Sequence, residues 1–583
     1  MSKRVALVVI TVTVCLVAAG CQAGAPKTRK VLPEWSRGQQ LGTAGLNQPI
    51  HMVPEDDYVH LIWVAAESNE LRYVRLDRTG DVAVSRDLGV TGAHPSDARL
   101  LRNKDGSLAV LWTDNPNRPR ALFLARLNRD GDLLGGPAQV SPDGLRVSNY
   151  DVVRDADGNQ HVFWANEIPS EGGLHHLRIS ADGQLSGTDR LLVPGGEHPT
   201  ARQAADGGIH LAWVVEPATR LNYVYYAIFD PTSESLGPET YVALYKTATG
   251  LIPYPPVMGL DNSEVYLFWA LEQRGGGMSP GEARTYYVAF PFDSPRETEP
   301  AEIGVPPRSR PNYVEASGVL PYTRLASGSA SWPTSFLYQP ATLNGQREEL
   351  GVFLVAEVAT QRQASKEVVW AVYAGGEMKG YQLPTVLGRS LRPTCGMDEH
   401  GNVHLAWLNS GGFGRYEVYY ASTSDAVKAN LDRVSMQDRA ADVLGALWAL
   451  VPALGFFPPV FLLWTFAPFI WVVLFYFVKV EGGLDRRPAQ IALVVAIALY
   501  LCSKLFLMPG PLFYAPFQDR LPLNLQFIPV VATPVFTLLA SLGAVWMYFR
   551  KREFRSLFAA FVILVVTDAF LSLIIYVPRW LAG

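Results

Sequence analysis

The chain has 583 residues, 49% hydrophobic and 18% charged, with a formal net charge of −4. Near-neutral charge argues against a nucleic-acid partner, and the length leaves room for more than one domain. Of the four cysteines only Cys395 lies in the long polar middle of the chain, which excludes a disulfide framework there.

Residues 1–21 read as a secretory signal. Lys3-Arg4 is the basic start, Val5–Val17 the apolar stretch and Ala18-Ala19-Gly20-Cys21 the cleavage site. Small residues directly before a cysteine resemble the bacterial lipobox, in which that cysteine is diacylated and becomes the new N-terminus. The resemblance implies lipidation at Cys21. Plain cleavage and an uncleaved anchor are the alternatives. Residues 22–35 read as a linker.

Residues 36–430 carry a repeated phrase: an Asp/Gly turn, an alternating apolar run, then tryptophan. It ends at Trp63, Trp112, Trp164, Trp213, Trp269 and Trp407, with spacings of 49, 52, 49 and 56 residues and then a gap of 138. The gap holds a weaker copy, Val352-Phe353-Leu354-Val355-Ala356, with alanine in place of tryptophan. Self-similarity at this period predicts an all-β, seven-bladed β-propeller in which each unit is one four-stranded blade. A tryptophan fixed in every unit predicts packing between blades before it predicts a ligand shelf.

Pro49, Pro199, Pro255 and Pro393 each stand 14 residues before the tryptophan, and Pro95 and Pro340 fit with slightly longer turns. Proline is tolerated at the first residue of a strand, so each is expected to open the innermost strand. Asp77-Arg78-Thr79-Gly80, Asn128-Arg129-Asp130-Gly131 and Ser180-Ala181-Asp182-Gly183 suit tight hairpins. Gln39-Gln40-Leu41-Gly42 resembles the outer-strand end Arg86-Asp87-Leu88-Gly89. The N-terminal segment is therefore expected to supply the last blade's outer strand, which removes an exposed sheet edge.

The residues just before each inner-strand proline should ring one mouth of the central channel: Gln48, His94, Asn149, His198, Tyr254, Gln339 and Arg392. Structural positions repeat and these do not, so they are candidate ligand contacts; ordinary solvated loop residues are the alternative. An insertion at about 298–335 lies on the same face and contains Tyr313, Tyr322, Arg324 and Trp332. Long loops in compact domains are functional or disordered. A second long loop, 272–284, contains Gly275-Gly276-Gly277.

The repeat length and the Asp-x-x-Gly-Asn-x-His-Leu-x-Trp turn resemble the sialidase-like, Asp-box-type propeller superfamily over residues 36–430. That resemblance specifies a fold and not a reaction. Sialidases use an arginine triad, a Tyr–Glu nucleophile pair and an Asp acid. Arg99, Arg202 and Arg392 are the arginines a triad would draw on, yet the first two lie several residues into their strands. No Ser-x-Asp-x-Gly-x-x-Trp box is intact, and no Tyr/Glu pair is placed.

Residues 431–457 read as a linker, with 442–457 apolar but interrupted by Pro452. Residues 458–583 read as an all-α transmembrane domain of about four helices, near 458–478, 489–508, 525–549 and 556–577. Basic residues concentrate at 479–488 and 550–555. Positive loops lie in the cytoplasm, so four crossings with both termini outside are expected, and 442–457 should lie at the surface or form a broken first helix. Lys504 and Asp568 are ionisable residues within these spans, where such residues are functional candidates; snorkelling or mutual pairing is the structural alternative.

No P-loop, zinc-like Cys/His cluster, Gly-x-Ser-x-Gly elbow or heptad run stands out, so no cofactor or metal is expected. The sequence thus predicts a bacterial membrane-anchored propeller on the extracytoplasmic side that binds or senses a glycan or an envelope protein. A glycoside hydrolase or lyase acting on glycans is the alternative.

Overall fold

The computed structural model describes residues 27–582, except 31–32, 46, 91–93, 115–119, 167–171, 218–219, 274–280, 304–336, 344–347, 360–363, 387, 413, 434–435, 479–482, 508–524, 526 and 552–554. The signal segment with Cys21, and the insertion residues Tyr313, Tyr322, Arg324 and Trp332, lie outside the described residues.

Seven antiparallel blade sheets follow one another along the chain, each ordered from an inner to an outer strand, and a two-stranded sheet pairs Arg29–Lys30 with Thr385–Val386. Blade 1 comprises His51–Pro54, Tyr58–Val64, Leu71–Asp77 and Val82–Asp87. The inner strands of blades 2 to 7 are Ser96–Arg102, Val147–Arg154, Gly196–Gln203, Leu251–Leu260, Leu337–Thr342 and Ser390–Met397. Blade 4 adds a two-residue strand, Ser235–Leu236, to the usual four. The outer strand of blade 7 is Gln39–Ala44, paired antiparallel with Arg415–Ser422, so the predicted closure is present. The closing segment is tightly seated. Trp35 is fully buried, and Ser36 and Ser422 exchange hydrogen bonds of 2.8 and 3.0 Å. A Cβ at Gly38 would stand 2.5 Å from the Trp407 ring, so only glycine passes there.

The tryptophans form the cores between blades. Trp112 of blade 2 packs with Ile62, Leu71 and Tyr73 of blade 1. Trp269 of blade 5 packs with Val214, Tyr226 and Tyr245 of blade 4. All six are at most 3% exposed, which makes them scaffold rather than surface. Ala356 is equally buried at the junction of blades 5 and 6, where Phe268, Tyr287 and Tyr373 crowd together with centroids 5.1–5.8 Å apart. Aromatic volume is conserved at that junction by other residues.

Two expectations need correction. The prolines of blades 4 to 7 do not open their strands. Pro199, Pro255, Pro340 and Pro393 sit inside them, in register breaks such as that between Glu197 and Thr200. A bulge leaves an N–H out of the ladder, so a residue without one fits. Residues 442–457 do not form a broken helix, since one helix runs through them without interruption.

Five helices follow the ring among the described residues. Helix α1, Asp425–Leu431, buries Val427 and Leu431 against blades 1 and 7. Helix α2, Met436–Val478, is continuous through 442–457 and the first span. Its 43 residues measure about 64 Å at about 1.5 Å each, roughly twice a bilayer's apolar thickness. Helices α3, α4 and α5 are Arg487–Leu507, Phe527–Lys551 and Leu557–Ala582. Among the described residues four stretches are long and apolar enough to cross a membrane: Pro458–Val478, Arg487–Phe506, Phe527–Arg550 and Leu557–Tyr576. Helix α5 packs against α2, α3 and α4. Between the predicted basic loops, Gly483 bridges Ser556 and the Leu484 N–H reaches Arg555 O at 2.9 Å, so the two loops lie side by side.

Candidate functional site

Three residues of the predicted mouth ring are staples between blades. The side-chain carbonyls of Gln48, Asn149 and Gln339 accept the backbone N–H groups of Asp97, His198 and Arg392 at 2.9, 2.9 and 2.7 Å. Each accepted N–H belongs to a bulge residue with φ between 48° and 51° on the next blade. A bulge takes that N–H out of its own ladder, and the neighbouring amide satisfies it. The place predicted for His94 is therefore held by Asp97; the His94 N–H is instead bonded to Asp114 at 2.9 Å. A second tier of staples lies one step deeper, where His51, Asp151 and Thr200 accept the N–H groups of Leu100, Ala201 and Met258.

His198 is different: its side chain helps line a pocket of about 360 Å³ on the predicted face. The loop joining the second and third strands of blade 4 contributes Glu216 and Arg220, and the loop into blade 5 contributes Thr247 and Thr249. Asn222 and Tyr245 complete it and are only 5% and 6% exposed. The His198 Nδ1 is buried with no hydrogen-bond partner among the described residues, and burial lowers the ring's pKa. A neutral imidazole, a carboxylate, an amide and a phenol thus converge on one polar concavity.

A second cluster stands at the mouth between blades 5, 6 and 7. The Tyr254 hydroxyl donates to Glu272 Oε2 at 2.6 Å. The Arg392 guanidinium lies 5.4 Å from the Tyr254 ring centre, and Tyr338 meets that ring edge-on at 5.8 Å. Lys366 Nζ donates to the Tyr338 hydroxyl at 3.3 Å. This Tyr–Glu pair is absent from the sequence reading. Eighteen residues separate its members, but the register that sets Tyr254 opposite Ala270 brings Glu272 alongside. Burial, then the bond to Glu272, pushes the Tyr254 phenol up to about 12.

Arg99 and Arg202 do not join Arg392. Both grip the Asp151 carboxylate, at 3.5 and 3.3 Å, in mid-channel. Asp151 also accepts the N–H groups of Val152 and Ala201 at 3.0 and 2.9 Å. Four donors thus occupy this carboxylate, which ties three inner strands together.

The Asp-x-x-Gly-Asn-x-His turns assemble Asp–His–Tyr chains that have the composition of a catalytic relay. His404 Nε2–H donates to Asp398 at 3.3 Å, and Tyr420 O–H donates to His404 Nδ1 at 2.7 Å. Asp155 and His161 repeat the first link at 3.1 Å, with His176 at 3.0 Å in the place of the tyrosine. His404, Asp398 and Tyr420 are 4%, 8% and 0% exposed, so no substrate reaches them and they brace the blades. No group of three or more metal-ligating side chains occurs among the described residues.

In the helical part Lys504 and Asp568 pair at 2.6 Å. Tyr500 and Ser572 bond to the same two groups at 2.7 Å each, and the Trp464 ring lies 5.6 Å from the ammonium.

No protein-family model and no curated protein sequence matches the chain. Its structure is similar to that of an ulvan-cleaving polysaccharide lyase, with 9% identity, a TM-score of 0.45 and coverage of 65% of this chain and 94% of that one. It is similar at 11% identity and TM-score 0.31 to an exo-β-1,3-galactanase from Clostridium thermocellum, covering 65% of this chain and 93% of that one. It is also similar at 16% identity and TM-score 0.38 to a puromycin-hydrolysing peptidase from Mycobacterium tuberculosis, covering 70% and 55%.

Proposed function

We propose that this chain is a membrane-anchored ligand-binding module of a bacterial cell surface, with its propeller outside the membrane. The observation that carries the reading is the His198 pocket, where a member of the non-repeating ring keeps a nitrogen without a partner among the described residues in a polar concavity. Donors and acceptors beside Tyr245, with Glu216 and Arg220 among them, suit the hydroxyl-rich faces of a glycan, which offer both hydrogen bonds and an apolar side. The membrane helices and a lipid on Cys21 would both hold the ring, which restrains its tilt. Arg486, Arg487, Arg550 and Arg555 mark the cytoplasmic end. The test is a glycan and envelope-protein array probed with the full chain and with His198→Ala and Asn222→Ala. Loss of binding with a retained fold supports the reading; unchanged binding overturns it.

Glycoside hydrolysis is the second reading, favoured by the Tyr254–Glu272 pair with Arg392 beside it. Glu272 accepts the phenol's hydrogen bond, which is the arrangement a tyrosine nucleophile needs. Activity on aryl glycosides that Tyr254→Phe abolishes would establish it, and a wild-type chain inert on a broad aryl-glycoside panel would remove it.

A further inference from the structure

A cavity of about 480 Å³ occupies the half of the central channel nearer the turns between first and second strands, and all seven blades line it. Its rim is formed by the last residues of the inner strands, including Pro54, Arg102, Arg154, Gln203 and Met397. This is the opposite end of the channel from the predicted mouth.

The charge on its wall is one-sided. Arg102, Arg154 and Arg202 line it, and no Asp or Glu does. Two of the balancing carboxylates stand behind the wall, and the exposed Glu399 meets Arg102 at 3.4 Å. Asp151 is 7% exposed and is pinned by backbone N–H groups. Glu55, also 7% exposed, holds Arg102 at 3.1 Å and Arg129 at 3.2 Å. Arg202 also reaches across from blade 4 to Thr342 of blade 6, at 3.2 Å, so its guanidinium spans the channel.

Two further groups sharpen the sign. His51 accepts the Leu100 N–H on Nδ1 at 3.0 Å, so its Nε2 carries the proton. Burial, then the charges of Arg99 and Arg202, push this ring down to about 3, and it stays neutral. Burial pushes the Cys395 thiol up to about 12, so it adds no negative charge. The rest of the wall is mainly apolar, with Met52, Leu100, Val152, Leu260 and Leu343.

We propose that this half of the channel binds a small organic oxyanion, a carboxylate or a phosphate or sulfate ester on an apolar body, entering from the first-to-second-strand turns. Apolar walls with a few placed polar groups, in a volume of this order, are the ordinary make-up of a small-molecule site. Guanidinium groups bind oxyanions through paired, charge-assisted hydrogen bonds. Arg202 and His51 stand at depth in this wall, and Arg154 and Gln203 stand at its rim. The site is separate from the His198 pocket and stands whether or not that pocket binds a glycan.

The test uses the full chain in nanodiscs with 1-naphthoate, 1-naphthyl phosphate and 1-naphthyl sulfate, and 1-naphthol as the uncharged control. At least one anion should bind saturably at one site, with naphthol weaker by roughly tenfold or more, a factor worth about 1.4 kcal/mol. Which anion binds best distinguishes a carboxylate from an ester. Arg202→Gln should weaken it about tenfold. Arg154→Gln, at the exposed rim where the fold is not at risk, should weaken it by a smaller factor. No saturable binding by any of the three anions, equal binding of naphthol, or an affinity unchanged by Arg154→Gln would overturn the proposal.

Discussion

Asp568 of α5 and Lys504 of α3 meet at 2.6 Å inside the helical bundle, both almost fully buried, with Tyr500 donating to Asp568 and Ser572 accepting from Lys504. Each charge makes the other tolerable, and the pair joins two helices at one depth. Removing one partner strands a buried charge, which costs roughly 3–5 kcal/mol. Lys504→Met or Asp568→Asn alone should therefore lower thermal stability in detergent sharply. The double variant Lys504→Met/Asp568→Leu should recover much of the loss. Equal losses for single and double variants would contradict this account.

The inter-blade cores predict an asymmetry. Trp213→Ala should cost about 3–5 kcal/mol, as truncations of buried tryptophan do. Ala356→Trp, although it restores the repeat, should also destabilise, by about 1–3 kcal/mol. Phe268, Tyr287 and Tyr373 already crowd that junction. Chemical denaturation read by tryptophan fluorescence measures both, and a stabilised Ala356→Trp chain would refute the packing account.

Asn149 and His198 belong to one hydrogen bond but to different roles. Asn149→Ala removes the acceptor for the His198 N–H, so it should cost about 1 kcal/mol of stability. His198→Ala keeps that backbone bond and removes the ring that lines the pocket. It should lose ligand and little stability. Denaturation midpoints and array binding, measured on both variants, separate the two effects.

The buried imidazoles set a pH dependence. Burial holds His176 down to about 3 and His210 down to about 4, against 6.5 for the free side chain. Unfolding lets each take up a proton. The stability they contribute is therefore complete above pH 6.5 and declines as pH falls toward 3–4. Burial alone would raise Asp398, but hydrogen bonds from His404 and Asn402 hold it down to about 2, and its contribution is lost lower still. Urea midpoints should fall steadily below about pH 6.5; a flat profile down to about pH 4 would contradict the neutral-histidine assignment.

Ring closure hangs on a residue without a side chain. Gly38→Val would drive a branched group into the Trp407 ring, 2.5 Å from where a Cβ would lie. Residues 36–44 should then detach from blade 7 and become open to proteases, while blades 2 to 5 keep their amide protection. Hydrogen exchange across the ring reads this directly.

Much of the architecture is local and therefore legible along the chain. Alternation, Asp/Gly turns and the spaced tryptophans mark strands whose partners lie a few residues away across a hairpin. That is why seven blades, the N-terminal closing strand and four apolar spans can all be read from residue order. The Asp155 and Asp398 turns are legible for the same reason, since Asp and Asn close them within four residues.

The site lies across blades, and residue order carries no local trace of it. Gln48, Asn149 and Gln339 looked alike as ring candidates with His198, and only their partners on the next blade separate staple from pocket wall. Tyr254 and Glu272 become a pair through strand register. Arg99, Asp151 and Arg202 come from three blades, each about fifty residues from the next, and meet because the ring turns their inner strands toward one axis. The amino-acid sequence determined the repeat, its closure and the four apolar spans, because hydrogen-bonded hairpins and apolar length are local properties. The tertiary structure decided which polar groups satisfy one another and which still face a cavity, because burial and charge depend on neighbours that only the closed ring brings together.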